Sequence, residues 1–172
     1  MGAPHTRKVL VVDDEVSFLN SMQRYLRNEP YQVLTAENGK IALELLQENE
    51  VFFVLTDYRM PGMDGLTLLR EIRLAHPHII TAMLTAVQDI QLAMEAVNNL
   101  GVHKFFLKPI NGEEILTALR TAAAFIENNG QRPDDGQQKL KRQETTLRAL
   151  ERDYPGITKI DLVDGMYDPT DT

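Results

Sequence analysis

Residues 9–15 read VLVVDDE: four apolar side chains run directly into three acids. A continuous apolar run belongs in an interior, whereas neighbouring carboxylates repel one another. The same abrupt stop recurs along the chain. Residues 51–57 read VFFVLTD, residues 79–85 read IITAMLT and residues 104–109 read KFFLKP, so that apolar runs end at Asp57, Thr85 and Lys108. These stretches predict strands over 8–12, 51–56, 79–84 and 104–107, and a fifth, shorter and β-prone, over 31–36.

Between them the period changes to that of a helix. Val16, Leu19, Met22 and Leu26 recur at helical spacing up to Pro30, and Ile41, Ala42, Leu45 and Leu46 follow the Asn38-Gly39 break. Leu66, Leu69 and Ile72 give a third helix, closed by His76-Pro77. Ile90, Ala93, Met94 and Val97 give a fourth, stopping near Gly101. Asn111 is placed to cap a fifth, with Glu114 at the capping-box position, running through Ile115, Leu119 and Ala122 to about residue 127. Five strand–helix alternations with short connections predict an α/β domain with a five-stranded parallel sheet, and strands apolar throughout predict a sheet covered on both faces. The polar stretch NNGQRPDDGQ, 128–137, reads as a linker. Beyond it, 138–172 reads as a short extension: a mixed-charge helix over 138–152, then a small hairpin around Asp164-Gly165.

The chain has 172 residues, a formal net charge of -7 and no cysteine. That excludes disulfides, thiol catalysis and cysteine zinc sites, and it argues against unspecific binding to nucleic acid or to a membrane. The amino terminus lacks a signal-peptide core and no apolar run is of membrane-spanning length, so a cytoplasmic protein is expected. Neither a phosphate-binding P-loop nor a dinucleotide fingerprint is present.

In an open parallel sheet, ligands bind outside the carboxyl ends of the strands. Asp13, Asp14 and Glu15 follow the first strand, Asp57 the third, Thr85 the fourth and Lys108 the fifth, which gathers them at one edge. Three carboxylates held close together raise one another's pKa, and a hard divalent cation relieves that cost. Mg²⁺ suits such oxygen donors. With an ammonium and a hydroxyl beside it, the edge suits a phosphoryl group, and a carboxylate at Asp57 can accept one as an aspartyl-phosphate.

The segments VLVVDDE, VLTDYRMPGMDG, AMLTA and KFFLKPI together resemble the receiver domain of two-component response regulators, a CheY-like family, over about residues 6–127. The resemblance implies a flavodoxin-like, doubly wound (βα)5 fold. It implies that Asp57 is the phosphoacceptor, Asp14 a direct Mg²⁺ ligand and Asp13 one acting mainly through water, with the backbone carbonyl of Arg59 completing the ligands. Thr85 would be the switch hydroxyl and Lys108 the phosphate-contacting lysine, its bond to Pro109 cis. Phe105 stands at the family's aromatic switch position, where it is either a switch working by packing alone or a core residue. Arg59 and Val87 occupy positions that tune dephosphorylation, and neither is a water-positioning acid or carboxamide. The implied partners are a histidine kinase or phosphotransfer protein and a downstream protein, with self-association as a homodimer. No nucleic acid or membrane partner is expected, and no enzymatic output beyond the chain's own phosphoryl transfer and dephosphorylation. The alternative is the receiver portion of a larger regulator with a DNA-binding or enzymatic output domain. A phosphatase acting on external substrates is a third, weaker reading.

Overall fold

A computed structural model describes residues 6–89, 91, 100–129 and 152 of the chain. The elements run β1 (Arg7–Val12), α1 (Val16–Tyr25), β2 (Tyr31–Ala36), α2 (Gly39–Glu48), β3 (Val51–Asp57), α3 (Gly65–Ala75), β4 (Ile80–Thr85), a single 3₁₀ turn (Val87–Asp89), β5 (Lys104–Leu107) and α4 (Gly112–Asn129). The helix expected from Ile90, Ala93, Met94 and Val97 lies outside the described residues. So does the C-terminal extension apart from Arg152, and with it most of the expected linker.

The five strands form one parallel sheet in the order β2-β1-β3-β4-β5. Side chains alternate across a strand, so each apolar run divides by parity between two cores. Val9, Val11, Phe53 and Leu55 face α1 and α4, where Leu19, Leu26, Ile115 and Leu119 close over them. Leu10, Val12 and Val54 point the other way, onto Leu46 of α2 and Leu68, Leu69 and Ile72 of α3. A Leu, Val or Phe so buried contributes about 1.5–3 kcal/mol each. This double cover is why the middles of strands 1, 3 and 4 carry apolar residues at successive positions, Val9–Val12, Phe53–Leu55 and Ala82–Leu84: neither face meets water there.

Three helices start on side-chain caps, which take up backbone N–H groups that a helix cannot pair internally. Asn38 accepts from the N–H of Ile41 at 2.9 Å, Asp64 from Thr67 at 2.7 Å and Asn111 from Glu114 at 2.9 Å. α1 differs. Its Glu15 makes no side-chain cap, and the acid that organises the turn is Asp13, which accepts from the N–H of Glu15 at 2.8 Å. β4 is displaced by one residue from its expected position and includes Thr85, because Thr85 still pairs with Leu107 in the parallel ladder. α4 continues through Asn129, two residues past its expected end, over the first two positions expected as linker. Asn has ordinary helix propensity and does not stop a helix by itself.

The strand order fixes where a site can form. The chain moves outward from β1 to β2, then returns to place β3 on the other side of β1. At that reversal the loops leaving β1 and β3 diverge and open a crevice at the carboxyl edge. Asp13 and Asp57 stand on its two sides.

Candidate functional site

The crevice holds the residues on which the apolar runs end. Asp13 leaves β1 and is fully buried, Asp57 ends β3 at 6% exposure, and Asp14 is exposed. Each of the three offers a carboxylate oxygen lying within 4.8 Å of the others. Lys108, leaving β5, sets its Nζ 2.9 Å from Asp57 Oδ2 and 3.3 Å from Asp13 Oδ2. The lysine reaches the pocket because its own N–H donates to the Thr85 carbonyl at 3.0 Å, extending the β4–β5 ladder past the strand end. The Lys108–Pro109 bond is cis. The Lys108 ammonium also stands 6.0 Å from the ring centroid of Phe18, on α1.

Electrostatics in the pocket are balanced between burial and pairing. Burial pushes the Asp13 carboxyl above its ordinary value. The N–H of Glu15 pulls it down, the neighbouring Asp57 pushes it up and Lys108 pulls it down, and the net shift is upward. Burial alone would lower the Lys108 ammonium, but hydrogen bonding and charge from Asp57 and Asp13 outweigh it, and its pKa is raised. The donor set fits a hard divalent cation. It offers three carboxylates with oxygen atoms alone, and a carboxyl whose ionisation is made costly by burial gains from a second positive charge.

Thr85 is buried at the end of β4, and its hydroxyl donates to the Ala86 carbonyl at 3.3 Å. Phe105 lies half-buried on β5 against the core under α2 and α3, opposite Met83 in the ladder. Pro109 is exposed.

One charged residue of the rim escaped the sequence reading. Asp89, in the 3₁₀ turn after β4, is buried. Arg59, two residues past Asp57, forks onto it, Nε donating at 2.8 Å and Nη2 at 2.6 Å. The fork holds the Asp89 carboxyl below its ordinary range against the upward push of burial. The signal for Asp89 in the sequence is a lone acid between Gln88 and Ile90, indistinguishable from a solvated one. Its partner sits thirty positions earlier.

A family model described as the response regulator receiver domain matches residues 9–120. The transcriptional regulatory protein ZraR of Escherichia coli (strain K12) is 35% identical over 116 residues, 67% of this chain and 26% of that protein. The DNA-binding transcriptional regulator NtrC of the same strain is 33% identical over 123 residues, 72% of this chain and 26% of that protein. The chain therefore spans about a quarter of the length of the curated relatives it matches. A solved response regulator receiver domain protein from Clostridium thermocellum is 30% identical with a TM-score of 0.66, and the match covers 70% of this chain and 97% of that one. With the family match over residues 9–120 running over all five strands and reaching into α4, the chain belongs to the response regulator receiver domain family.

Proposed function

We propose that the chain is a phosphorylation-switched response regulator in which Asp57 takes a phosphoryl group from a histidine kinase or phosphotransfer protein. The observation that carries this reading is the grouping of the Asp13, Asp14 and Asp57 carboxylates within 4.8 Å, with the Lys108 ammonium 2.9 Å from the acceptor. A carboxylate oxygen of Asp57 attacks phosphorus, the bond from phosphorus to the donor's nitrogen or oxygen breaks, and the leaving group departs with the bonding electrons. Lys108 faces the charge that gathers on the phosphoryl oxygens, and Thr85, released from Ala86, donates its hydroxyl to one of them. Asp14, Asp57 and the Arg59 carbonyl would hold Mg²⁺, with Asp13 acting through water. When bound, the ion neutralises carboxylate and phosphoryl charge together. Phe105 follows Thr85 by repacking, since a phenyl ring has no hydroxyl to bond outside.

The switching unit is the segment 6–127. Beyond α4, which runs on to Asn129, the rest of the stretch 128–137 links it to the extension 138–172, which carries output through a downstream protein or a second copy of the chain. In this reading the chain signals by binding, with its catalysis confined to its own phosphoryl transfer and dephosphorylation. A second reading rests on the relatives: NtrC is named as DNA-binding, and this chain spans about a quarter of it, so the receiver would serve a larger regulator whose output domain binds DNA.

Intact-mass measurement after incubation with a small acyl phosphate tests the acceptor. One phosphoryl per chain is expected, dependent on Mg²⁺ and absent from Asp57→Asn. An Asp57→Asn variant that labels as fully as its parent overturns the assignment.

A further inference from the structure

We propose that Asp89 is a positioning residue for the Thr85 hydroxyl, acting through the Arg59 fork on one side and the Ala86 carbonyl on the other. This deepens the reading above and rests on it, because Thr85 is there the hydroxyl that serves the phosphoryl group.

The geometry supplies each link. The Asp89 side chain is 3% exposed and the Arg59 side chain 70%. A carboxylate so far from water depends on protein donors, and the two N–H groups of Arg59 meet both of its oxygens at 2.8 and 2.6 Å. Two parallel, charge-assisted bonds fix orientation as well as distance. The same residue donates its backbone N–H to the Ala86 carbonyl at 3.0 Å. That carbonyl is the oxygen which the Thr85 hydroxyl contacts at 3.3 Å. Asp89 therefore grips Arg59 with its side chain and the Thr85 acceptor with its main chain.

The clasp also joins the two sides of the crevice. Arg59 follows Asp57 by two residues, and the N–H of Tyr58 between them donates to the Leu84 carbonyl at 2.9 Å. Asp57 and Leu84 are themselves partners across β3 and β4. A closed ring results: acceptor strand, Arg59, Asp89, Ala86, Thr85 and back through the ladder. Within that ring the hydroxyl is held on Ala86. To reach a phosphoryl group on Asp57 it must leave that oxygen, and the clasp sets how firmly the turn keeps it.

Substitutions separate the fork from simple charge. Arg59→Lys keeps the positive charge and loses the two-pronged geometry. Asp89→Asn keeps the shape and loses the charge. The readout is the γ-methyl NMR signal of Thr85 in the unphosphorylated full chain, which reports the side-chain rotamer, with the methyls of Thr35 and Thr81 as controls on β2 and at the far end of β4. Both variants are expected to move the Thr85 signal toward its position in the phosphorylated parent, raising the share of that minor state about tenfold, with Thr35 and Thr81 unmoved.

An Arg59→Lys chain whose Thr85 signal matches the parent overturns the proposal, because charge alone would then suffice. So does equal displacement of all three threonines, which marks general loosening. The milder lysine variant carries the test should Asp89→Asn fold poorly. If the parent accepts no phosphoryl on Asp57, the reading of Thr85 falls and the positioning role falls with it. A parent that labels normally beside variants with an unmoved Thr85 overturns the positioning role alone.

Discussion

Lys108 decides the charge balance of the pocket, and its effect has a definite sign at each end of the pH scale. Its folded-state pKa lies above the unfolded value of 10.5, raised by Asp57 and Asp13 against burial. A cation shifted that way adds stability in full below its unfolded pKa, and the contribution is lost as pH rises through the folded one. Asp13 works oppositely. Its pKa is raised above 3.8, chiefly by burial, so ionising it costs stability, a cost absent below the unfolded value and complete once pH has passed the folded one. Lys108→Ala removes that contribution, which is present in full at neutral pH, and leaves two buried carboxylates facing each other. We expect a loss of about 1–3 kcal/mol at about pH 8, below the figure for a fully buried pair because the lysine is partly exposed. The gap should narrow toward about pH 5, where protonation of Asp13 becomes easier. Urea unfolding of both chains at the two pH values checks this, and an equal gap at both would show that the ammonium does not offset the carboxylates. Asp13, Asp57, Thr85 and Lys108 could be picked out from the sequence because each stands where an apolar run stops. Asp89 could not, since its burial and its partner Arg59 are products of the fold, and no local period or motif carries them.

Element by element, the pocket depends on how closely α3 seats against the exit of β3. Gly65, the first residue of α3, donates its N–H to the Tyr58 carbonyl at 2.8 Å. A Cβ built there would overlap the Asp57 carbonyl oxygen. That neighbour is main chain at the end of a central strand and has no rotamer into which to retreat. Gly65→Ala should therefore push the acceptor strand and the helix apart, costing about 2–4 kcal/mol and slowing acyl-phosphate labelling of Asp57. Gly62, in the same loop, is the control. Its φ of +79° is strained for any side chain, but a Cβ there would meet nothing within 4 Å. Gly62→Ala should cost about 1 kcal/mol and leave labelling near that of the parent. Denaturant unfolding and intact-mass kinetics on both variants make the comparison, and equal effects at the two sites would refute the seating argument. The difference between these glycines is invisible in the sequence, where both fall within the one stretch MPGMDG, residues 60–65. The strands were far easier to read: β2 and β5 begin and end where the apolar pattern does. β4 was misplaced by one residue, because a ladder bond from Lys108 to Thr85 extends a strand that composition alone ends earlier.

For the molecule as a whole, five apolar runs imply five parallel strands, but their order follows from crossovers that periodicity does not encode, and the sequence reached it through family resemblance. The extent of the folded unit is a separate question. The family match ends at residue 120, yet the packing does not. Ala122 and Ala123 of α4 are buried, and Phe125 and Ile126 pack against the core that α4 shares with α1. Arg7, at the start of β1, pairs with Glu127 at 2.8 Å, tying the first strand to the end of the last described helix. A chain cut after residue 120 would expose the apolar surface beneath the last two and a half turns of α4. By area it should lose about 3–5 kcal/mol, with a lower denaturation midpoint. A chain cut after residue 129 keeps every one of these contacts, together with both cores and the whole acidic edge. It should match the full chain in midpoint, in denaturant slope and in Mg²⁺-dependent labelling of Asp57. Equilibrium urea unfolding of the three lengths decides the matter. If the chain ending at 129 were as weakened as the one ending at 120, residues 130–172 would be part of the receiver's own packing rather than an appendage available for output.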